Sequence, residues 1–383
     1  SVNFDIDFAV PFRHRVRFTS DLAGNDFHVL TDLLIADGQT TAKVLLVVDD
    51  ALAATSQIAT RLLQRLQTNS SIQLVEVSGA TPCFRIVGGE RCKNSSQEVD
   101  RLLTAINESG LDRRSYIIVV GGGAVLDAVG YAAALAHRGI RLVRIPTSTL
   151  AQADSGVGVK NAINQFGKKN WLGTFAVPWA VINDRSLLES LSDRDFSCGF
   201  SEAVKVSLLK SESDFGLLCD RAADICDRDM DAAFAVIQKS CLHHLRHITT
   251  GGDPFEMQVA RPLDFGHWSA HRLEDLSDYR IRHGEAVSIG VALDCVYSSK
   301  VHGLATEVAD RVCRCLRDLG LPIWDDLLND PAAILAGMEE FRQHLGGRLT
   351  LTMLEAVAMP IDVHHIDFNA MKASLLRLGS LAE

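Results

Sequence analysis

The sequence predicts an α/β N-terminal domain over residues 1–190 and an all-α domain over residues 191–383. The first is expected to be doubly wound and Rossmann-like, with a mostly parallel sheet. Three observations predict this. Short β-rich apolar runs alternate with amphipathic helical stretches up to about residue 190, and that βαβ rhythm requires parallel strands. One apolar run opens into Gly121-Gly122-Gly123 directly before a helical stretch. From about residue 191 the apolar positions recur at helical period, with few β-branched runs. At 383 residues and 47% hydrophobic, the chain can bury two cores.

Taken in order, Val44–Val48 is an apolar strand that ends in Asp49-Asp50, and a helix runs on to about Gln67. Ile72–Val77 reads as a strand. Tyr116–Val120 reads as a buried strand feeding the triple glycine. Val125–His137 follows as a helix and Leu142–Ile145 as a strand that stops at Pro146. Residues 198–247 and 284–320 carry the helical period of the second domain. Sheets of this kind bind nucleotides at the carboxyl ends of their strands, so a site between the domains is expected. There is no internal repeat and no low-complexity segment.

Composition excludes several classes. The net charge is −10 and there is no Lys/Arg block, which argues against a nucleic-acid partner. Basic residues come singly, several beside glycine, threonine or asparagine, as suits a small anionic ligand. No apolar run approaches the roughly 20 residues of a membrane span. Ser1-Val-Asn-Phe-Asp5 lacks the apolar core of a secretory signal. Nine cysteines without a CxxC read as reduced thiols, so a cytoplasmic location is expected.

Several segments carry chemistry. Gly121 to Gly123, between strand and helix, lets backbone N–H groups approach a pyrophosphate at a helix N-terminus; the alternative is a plain tight turn. Asp49 or Asp50 could hold a ribose hydroxyl or merely end a strand. Glu90 and Lys93 follow Gly88-Gly89, a pattern that alone is more often a solvated loop. Thr147, Ser148, Asp154 and Lys160 lie in a stretch dense in hydroxyls and glycine. Lys169 and Asn170 follow Gly167; such lysines cradle phosphate or sit at the surface. Glu202 and Lys205 share a helix face, ordinarily a surface pair worth about 0.3 kcal/mol.

His267 and His271 lie four apart on one helix face, and His283 follows. Glu202, His267 and His283 would give Zn²⁺ three protein ligands and leave positions open for substrate oxygens. His243, His244, His247, His364 and His365 read as helix-face or surface residues, with His247 singled out.

Together, Gly121–Asp127, Pro146–Lys160, Gly167–Asn170, Glu202–Lys205, Phe265–His271 and His283–Ala286 resemble the sugar phosphate cyclases of the 3-dehydroquinate synthase superfamily. The resemblance runs in order from about Val44 to Gly290. It implies that Asp49 or Asp50, Glu90, Lys93, Gly121, Gly122, Gly123, Asp127, Thr147, Ser148 and Lys169 contact NAD⁺. Asp154, Lys160, Lys169, Asn170 and Lys205 would face a sugar phosphate substrate. Glu202, His267 and His283 would bind zinc or cobalt, and His271 would serve the phosphate region. Arg138 resembles an arginine that reaches the neighbouring subunit's phosphate site in a homodimer. The implied chemistry is transient oxidation by NAD⁺, β-elimination of phosphate, return of the hydride and aldol closure of a carbocycle.

The chain also departs from dehydroquinate synthases. Asp264 stands where they carry Asn. Ala260, with Arg261 and Pro262 beside it, stands where they carry Arg. Arg246 or His247 falls at a lysine, and Phe341-Arg342-Gln343 lies near a missing Asp-Lys-Lys. Those basic residues grip a carboxylate, so their loss implies a substrate without one. Pro11–Ser20 resembles the sedoheptulose 7-phosphate cyclases, which make valiolone-type cyclitols. His267-Trp268, Asp253–Glu256 and Arg261–Asp264 resemble a subgroup from Ebo-type operons, and Glu256 and Asp264 join the catalytic candidates. Trp268 replaces a small Thr or Ser and must reshape the pocket.

The expectation is a C7-cyclitol synthase acting on sedoheptulose 7-phosphate or a close ketose phosphate. The alternatives are a 3-dehydroquinate synthase, a metal-dependent NAD polyol dehydrogenase that releases NADH, and a relative that only binds. Lys160, Asn170 and Lys205 argue against the dehydrogenase. The intact metal trio with Asp154 and Lys160 argues against a mere binder.

Overall fold

The computed structural model describes residues 2–35, 40–77, 82–251, 255, 261–344 and 348–382. Asp253, Glu256 and Ala260, singled out above, lie outside the described residues. Two compact units emerge: residues 1–146 with 159–184, and residues 147–158 with 185–383. The division therefore differs from a single cut at residue 190, because Thr147–Gly158 belongs with the helical unit although strands of the other unit flank it.

The first unit is built on a seven-stranded sheet whose pairings are all parallel. Its strands are β1 (Val16–Thr19), β2 (Ala42–Asp49), β3 (Ile72–Leu74), β4 (Phe84–Ile86), β5 (Tyr116–Gly121), β6 (Arg141–Pro146) and β9 (Ala180–Asp184). The order is β1-β9-β6-β5-β2-β3, with β4 also on β2. The central strands are apolar because both of their faces are covered: Val44 to Val48 and Tyr116 to Val120 are all buried. Each such side chain contributes about 1.5–3 kcal/mol. Helices α1 (Phe27–Leu34), α2 (Asp50–Thr55), α3 (Gln57–Thr68), α4 (Gln97–Glu108) and α5 (Gly123–Leu135) accompany the strands. A two-stranded antiparallel hairpin, β7 (Lys160–Gln165) and β8 (Lys168–Phe175), stands apart from the sheet.

The strands β1 and β9 and this hairpin were not apparent from sequence. β1 alternates arginine with apolar residues, and β8 is mostly exposed and polar, so neither shows a buried-strand run. β1 is fastened through Asp184, whose Oδ2 accepts from Thr19 Oγ1 and from the Leu22 amide, each at 2.7 Å.

The second unit is helical: α6 (Asp193–Lys210), α7 (Glu212–Cys226), α8 (Met230–Thr250), α9 (His267–Leu276), α10 (His283–Val301), α11 (Thr306–Asp318), α12 (Pro331–His344) and α13 (Phe368–Ala382). It is not purely α: β10 (Leu351–Ala356) and β11 (Met359–Val363) form an antiparallel hairpin. Ser192, Ser211 and Asp229 cap the N-termini of α6, α7 and α8 by accepting first-turn backbone N–H bonds, which sets where each helix begins. α10 is buried on nearly every side and forms the unit's centre. No helix among the described residues is long and apolar enough to cross a membrane.

Two close approaches set the position of α10. A Cβ on Gly284 would lie 2.2 Å from the Cys198 carbonyl oxygen of α6. A Cβ on Gly290 would lie 2.0 Å from the Gly266 carbonyl oxygen, in the turn that opens α9. Gly266 itself has φ +77, a left-handed conformation that a side chain disfavours. These contacts set the first turn of α10 against α6 and its second turn against the start of α9.

Candidate active site

Glu202 projects from the middle of α6, and His267 and His283 are the first residues of α9 and α10. Glu202 Oε1 lies 3.4 Å from His267 Nε2 and 3.5 Å from His283 Nε2. A tetrahedral ion with bonds of about 2.0–2.1 Å places its ligand atoms about 3.4 Å apart. Two edges of the trio match that spacing, and all three ligand atoms lie within 4.8 Å of one another. The other ring nitrogens are held from behind: His267 Nδ1 donates to the Phe265 carbonyl at 3.1 Å, and His283 Nδ1 donates to Glu274 Oε2 at 3.1 Å. Such partners fix the tautomer that presents Nε2 to a metal. A second grouping of His271, Glu274 and His283 is also close, but Glu274 is already the rear partner of His283.

Glu202 and Lys205 are both buried and ion-paired, so the surface-pair alternative fails. Burial pushes the Glu202 carboxyl up, but Lys205 and the hydrogen bonds of the two histidines outweigh it and hold it well below the ordinary range. Burial draws the Lys205 ammonium down, and the charges of Glu202, Asp154 and Asp264 overcome this to raise it. Arg194 on α6 donates to both oxygens of Glu285 on α10, at 2.6 and 2.7 Å, and so ties the two ligand helices together.

Thr147, Ser148 and Asp154 belong to the same unit as this trio. Thr147 is buried, and Ser148 Oγ accepts the Ala151 amide at 3.2 Å, opening the single π-turn Ala151–Ser155. That turn carries Asp154, whose Oδ1 lies 2.6 Å from His244 Nδ1. Burial raises Asp154, but the nearby His244 lowers it further, and it stays below the ordinary value. His271 is exposed, one turn beyond His267, with its ring centroid 6.2 Å from that of His283.

The first unit gathers a different set. Lys93, only 2% exposed, donates to Asp127 at 2.7 Å and to the Asn170 side-chain oxygen. Burial pushes the Asp127 carboxyl up, and Lys93 pulls it back only in part. Glu90 accepts from Asn164 Nδ2 at 3.0 Å, and Asn164 Oδ1 accepts the Asn170 amide at 2.9 Å. Glu90, Lys93, Asp127 and Asn170 thus form one network beside the turn Gly121–Gly123, where β5 hands over to α5. Asp49 Oδ1 caps α2 through the amides of Ala51 and Leu52, while Asp50 is exposed with Arg85 3.9 Å away. Lys160 opens β7 and is exposed, and Lys169 lies on β8. Arg138 is exposed and sits with His137 and Gly139 in three consecutive positive-φ residues.

Some site residues escaped sequence reasoning. His244, read as a helix-face residue, is the histidine that faces Asp154; His247, singled out instead, lies 3.3 Å from Lys210. His243 pairs with Asp214 at 2.6 Å. Arg144, fully buried on β6, donates to Asn161 at 2.6 Å and to the Lys160 carbonyl at 3.2 Å, so it anchors the strand that presents Lys160. An arginine inside an otherwise apolar strand was the available signal. Arg246 is exposed, and Arg342 pairs with Glu339.

The family model for the 3-dehydroquinate synthase N-terminal region matches residues 83–198, and that for its C-terminal region matches residues 199–342. The chain belongs to the 3-dehydroquinate synthase family of enzymes. It is 30% identical to the 3-dehydroquinate synthase of Rhodopseudomonas palustris (strain BisB18), over 96% of this chain and 98% of that one. It is 32% identical to the 2-epi-valiolone synthase of Actinosynnema mirum, over 76% and 77%. Among solved structures, the 2-epi-5-epi-valiolone synthase of Streptomyces hygroscopicus subsp. jinggangensis 5008, with NAD⁺ and Zn²⁺ bound, matches at a TM-score of 0.85 and 25% identity, covering 98% of this chain and 99% of that one.

Proposed function

We propose that the protein converts an uncarboxylated ketose phosphate, sedoheptulose 7-phosphate foremost, into a carbocyclic cyclitol with release of phosphate. In the net reaction a C–O bond to phosphate breaks and a C–C bond forms, with no net oxidation. Glu202, His267 and His283 hold a divalent ion, zinc or cobalt. The glycine turn with Asp49, Glu90, Lys93, Asp127, Thr147 and Ser148 holds NAD⁺. When bound, the dinucleotide supplies a reversible hydride acceptor and the ion supplies a Lewis acid for the substrate oxygens. Lys160, Lys169, Asn170 and His271 grip the phosphate, and Lys205 donates to the hydroxyl beside the reacting carbon. Asp154 and His244, 2.6 Å apart, form a carboxylate–imidazole pair that can hold or pass a proton.

The observation that carries the substrate choice is the charge around Lys205. Three carboxylates, Glu202, Asp154 and Asp264, act on this one ammonium. In this reading the added negative charge of Asp264 near Lys205 disfavours a substrate carboxylate there. Asp264, where dehydroquinate synthases carry Asn, supplies the charge that tips the balance.

A 3-dehydroquinate synthase is the second reading, favoured by the relative that aligns over 96% of the chain. The first experiment incubates the protein with NAD⁺, zinc or cobalt and a panel of sugar phosphates, and follows phosphate and the NADH band together. Phosphate release without NADH is expected. Stoichiometric NADH without phosphate would mean a polyol dehydrogenase and would refute the proposal.

A further inference from the structure

The two ring nitrogens of His244 stand in different situations. Nδ1 lies 2.6 Å from Asp154 Oδ1. Burial raises the Asp154 carboxyl, but His244 and Lys205 together bring it below the ordinary value. The carboxylate therefore accepts, and Nδ1 carries the hydrogen. Nε2 has no hydrogen-bond partner among the described residues, although only 12% of the side chain is exposed. A Cβ on Gly158 would lie 3.6 Å from Nε2, so glycine leaves uncovered a nitrogen that a longer side chain would shut off. A carboxylate behind Nδ1 with Nε2 open prepares an imidazole to take a proton at Nε2.

This pair stands beside the ion site and in the same unit. Asp154 rides on the π-turn Ala151–Ser155, which packs against α6 and α8, and it feels the charges of Glu202 and Lys205 from α6. Few groups there can receive a proton. Lys205, raised by its carboxylate neighbours despite burial, already carries one. Glu202 is held well below the ordinary range despite burial. His267 and His283 turn Nε2 toward Glu202 and keep Nδ1 against Phe265 and Glu274. His244 Nε2 remains, with Asp154 behind it to stabilise the charge it gains; the exposed His271 is its rival.

We propose that His244 Nε2 is the base that takes the proton of the substrate hydroxyl being oxidised and gives it back when the hydride returns. This rests on the transient oxidation in the function proposed above. In the forward step the O–H bond breaks and an N–H bond forms at Nε2. The hydrogen on the same carbon leaves with its electron pair for NAD⁺, so the alcohol becomes a carbonyl and NAD⁺ is reduced. On return the carbon regains the hydride and its oxygen regains the proton from Nε2, so His244 ends neutral, as it began. Asp154 acts through the imidazole here and is a positioning residue for it: it fixes the tautomer and stabilises the imidazolium.

The test uses the full chain with sedoheptulose 7-phosphate, or with the carboxylated heptulosonate phosphate if the wild type prefers it. His244→Asn can still donate to Asp154 but lacks Nε2. Rapid mixing followed at the NADH band should show hydride transfer in His244→Asn slowed at least about 100-fold, with KM changed less than about threefold. Added imidazole should accelerate His244→Gly and leave wild type unchanged. With no NAD⁺ present, ¹⁵N NMR of histidine-labelled protein should show the Nε2 resonance that His244→Asn lacks, and that resonance should move when the sugar phosphate is added. A normal hydride step in His244→Asn would overturn the inference, and a slow one in His271→Ala beside it would assign the base to His271. So would a loss that imidazole does not rescue, or an Nε2 resonance indifferent to the sugar. If wild type and His244→Asn release phosphate equally fast, this inference fails alone; if wild type consumes no sugar phosphate, the function above fails and this inference with it. Circular dichroism checks that each variant is folded.

Discussion

The indole Nε1 of Trp268 donates to Asp294 Oδ1 at 2.9 Å, and Asp294 Oδ2 accepts the Gly266 amide at 3.0 Å. One fully buried carboxyl on α10 therefore grips the residues on either side of His267. His283 lies eleven residues earlier on the same helix, three turns away and on the same face. Asp294 thus ties the start of α9 to the helix that carries the other histidine. Trp268 makes one of the two bonds.

Removing the carboxyl leaves two buried N–H groups unsatisfied. Asp294→Ala should cost about 3 kcal/mol of stability and Trp268→Phe about 1–2 kcal/mol, measured by urea unfolding. The double variant should cost less than the sum, because the two residues share one interaction. Additive losses would show that they act separately.

Asp294 also sets a pH dependence. Burial pushes its carboxyl up to about 7, and the bonds from Trp268 and Gly266 pull down only in part. The folded state then holds a proton that the unfolded state has already released. This contribution to stability is full below the ordinary value of 3.8, declines between there and about 7, and is absent above. Asp294→Asn should flatten the stability profile across that window, as read by thermal melts at a series of pH values.

Glu274 stands behind His283 and does not itself face the trio's shared point. Glu274→Gln is expected to weaken Zn²⁺ or Co²⁺ affinity about 10–100-fold, while His267→Ala or His283→Ala abolishes stoichiometric binding. Competition with a chelator measures both. Unchanged affinity in Glu274→Gln would show that His283 needs no support from that residue.

Asp264 acts electrostatically on Lys205. Its neutralisation in Asp264→Asn should shift kcat/KM toward a carboxylated heptulosonate phosphate by roughly 10–100-fold relative to sedoheptulose 7-phosphate. Steady-state phosphate release with both substrates gives the ratio.

Much of this is legible in the sequence. His267, His283 and Glu202 were readable because each lies in a short segment whose residue types suit a metal, and the turn from β5 into α5 because three consecutive glycines mark it. The central strands were readable because burial on both faces demands an unbroken apolar run. What escaped was non-local or locally ambiguous. Asp154 and His244 are 90 residues apart, and Lys93 and Asn170 are 77 apart. No spacing rule connects such pairs. Asp294 gave no signal either, since a lone acid in an apolar helix acquires meaning only when Trp268 is found against it.

The most direct test of the account is the ratio of kcat/KM for sedoheptulose 7-phosphate to that for the carboxylated heptulosonate phosphate, measured by phosphate release with NAD⁺ and zinc present. The negative charge that Asp264 adds near Lys205 predicts a ratio well above one, with no NADH accumulating. Turnover of the carboxylated sugar with silence on sedoheptulose 7-phosphate would contradict it, and would make the protein a 3-dehydroquinate synthase.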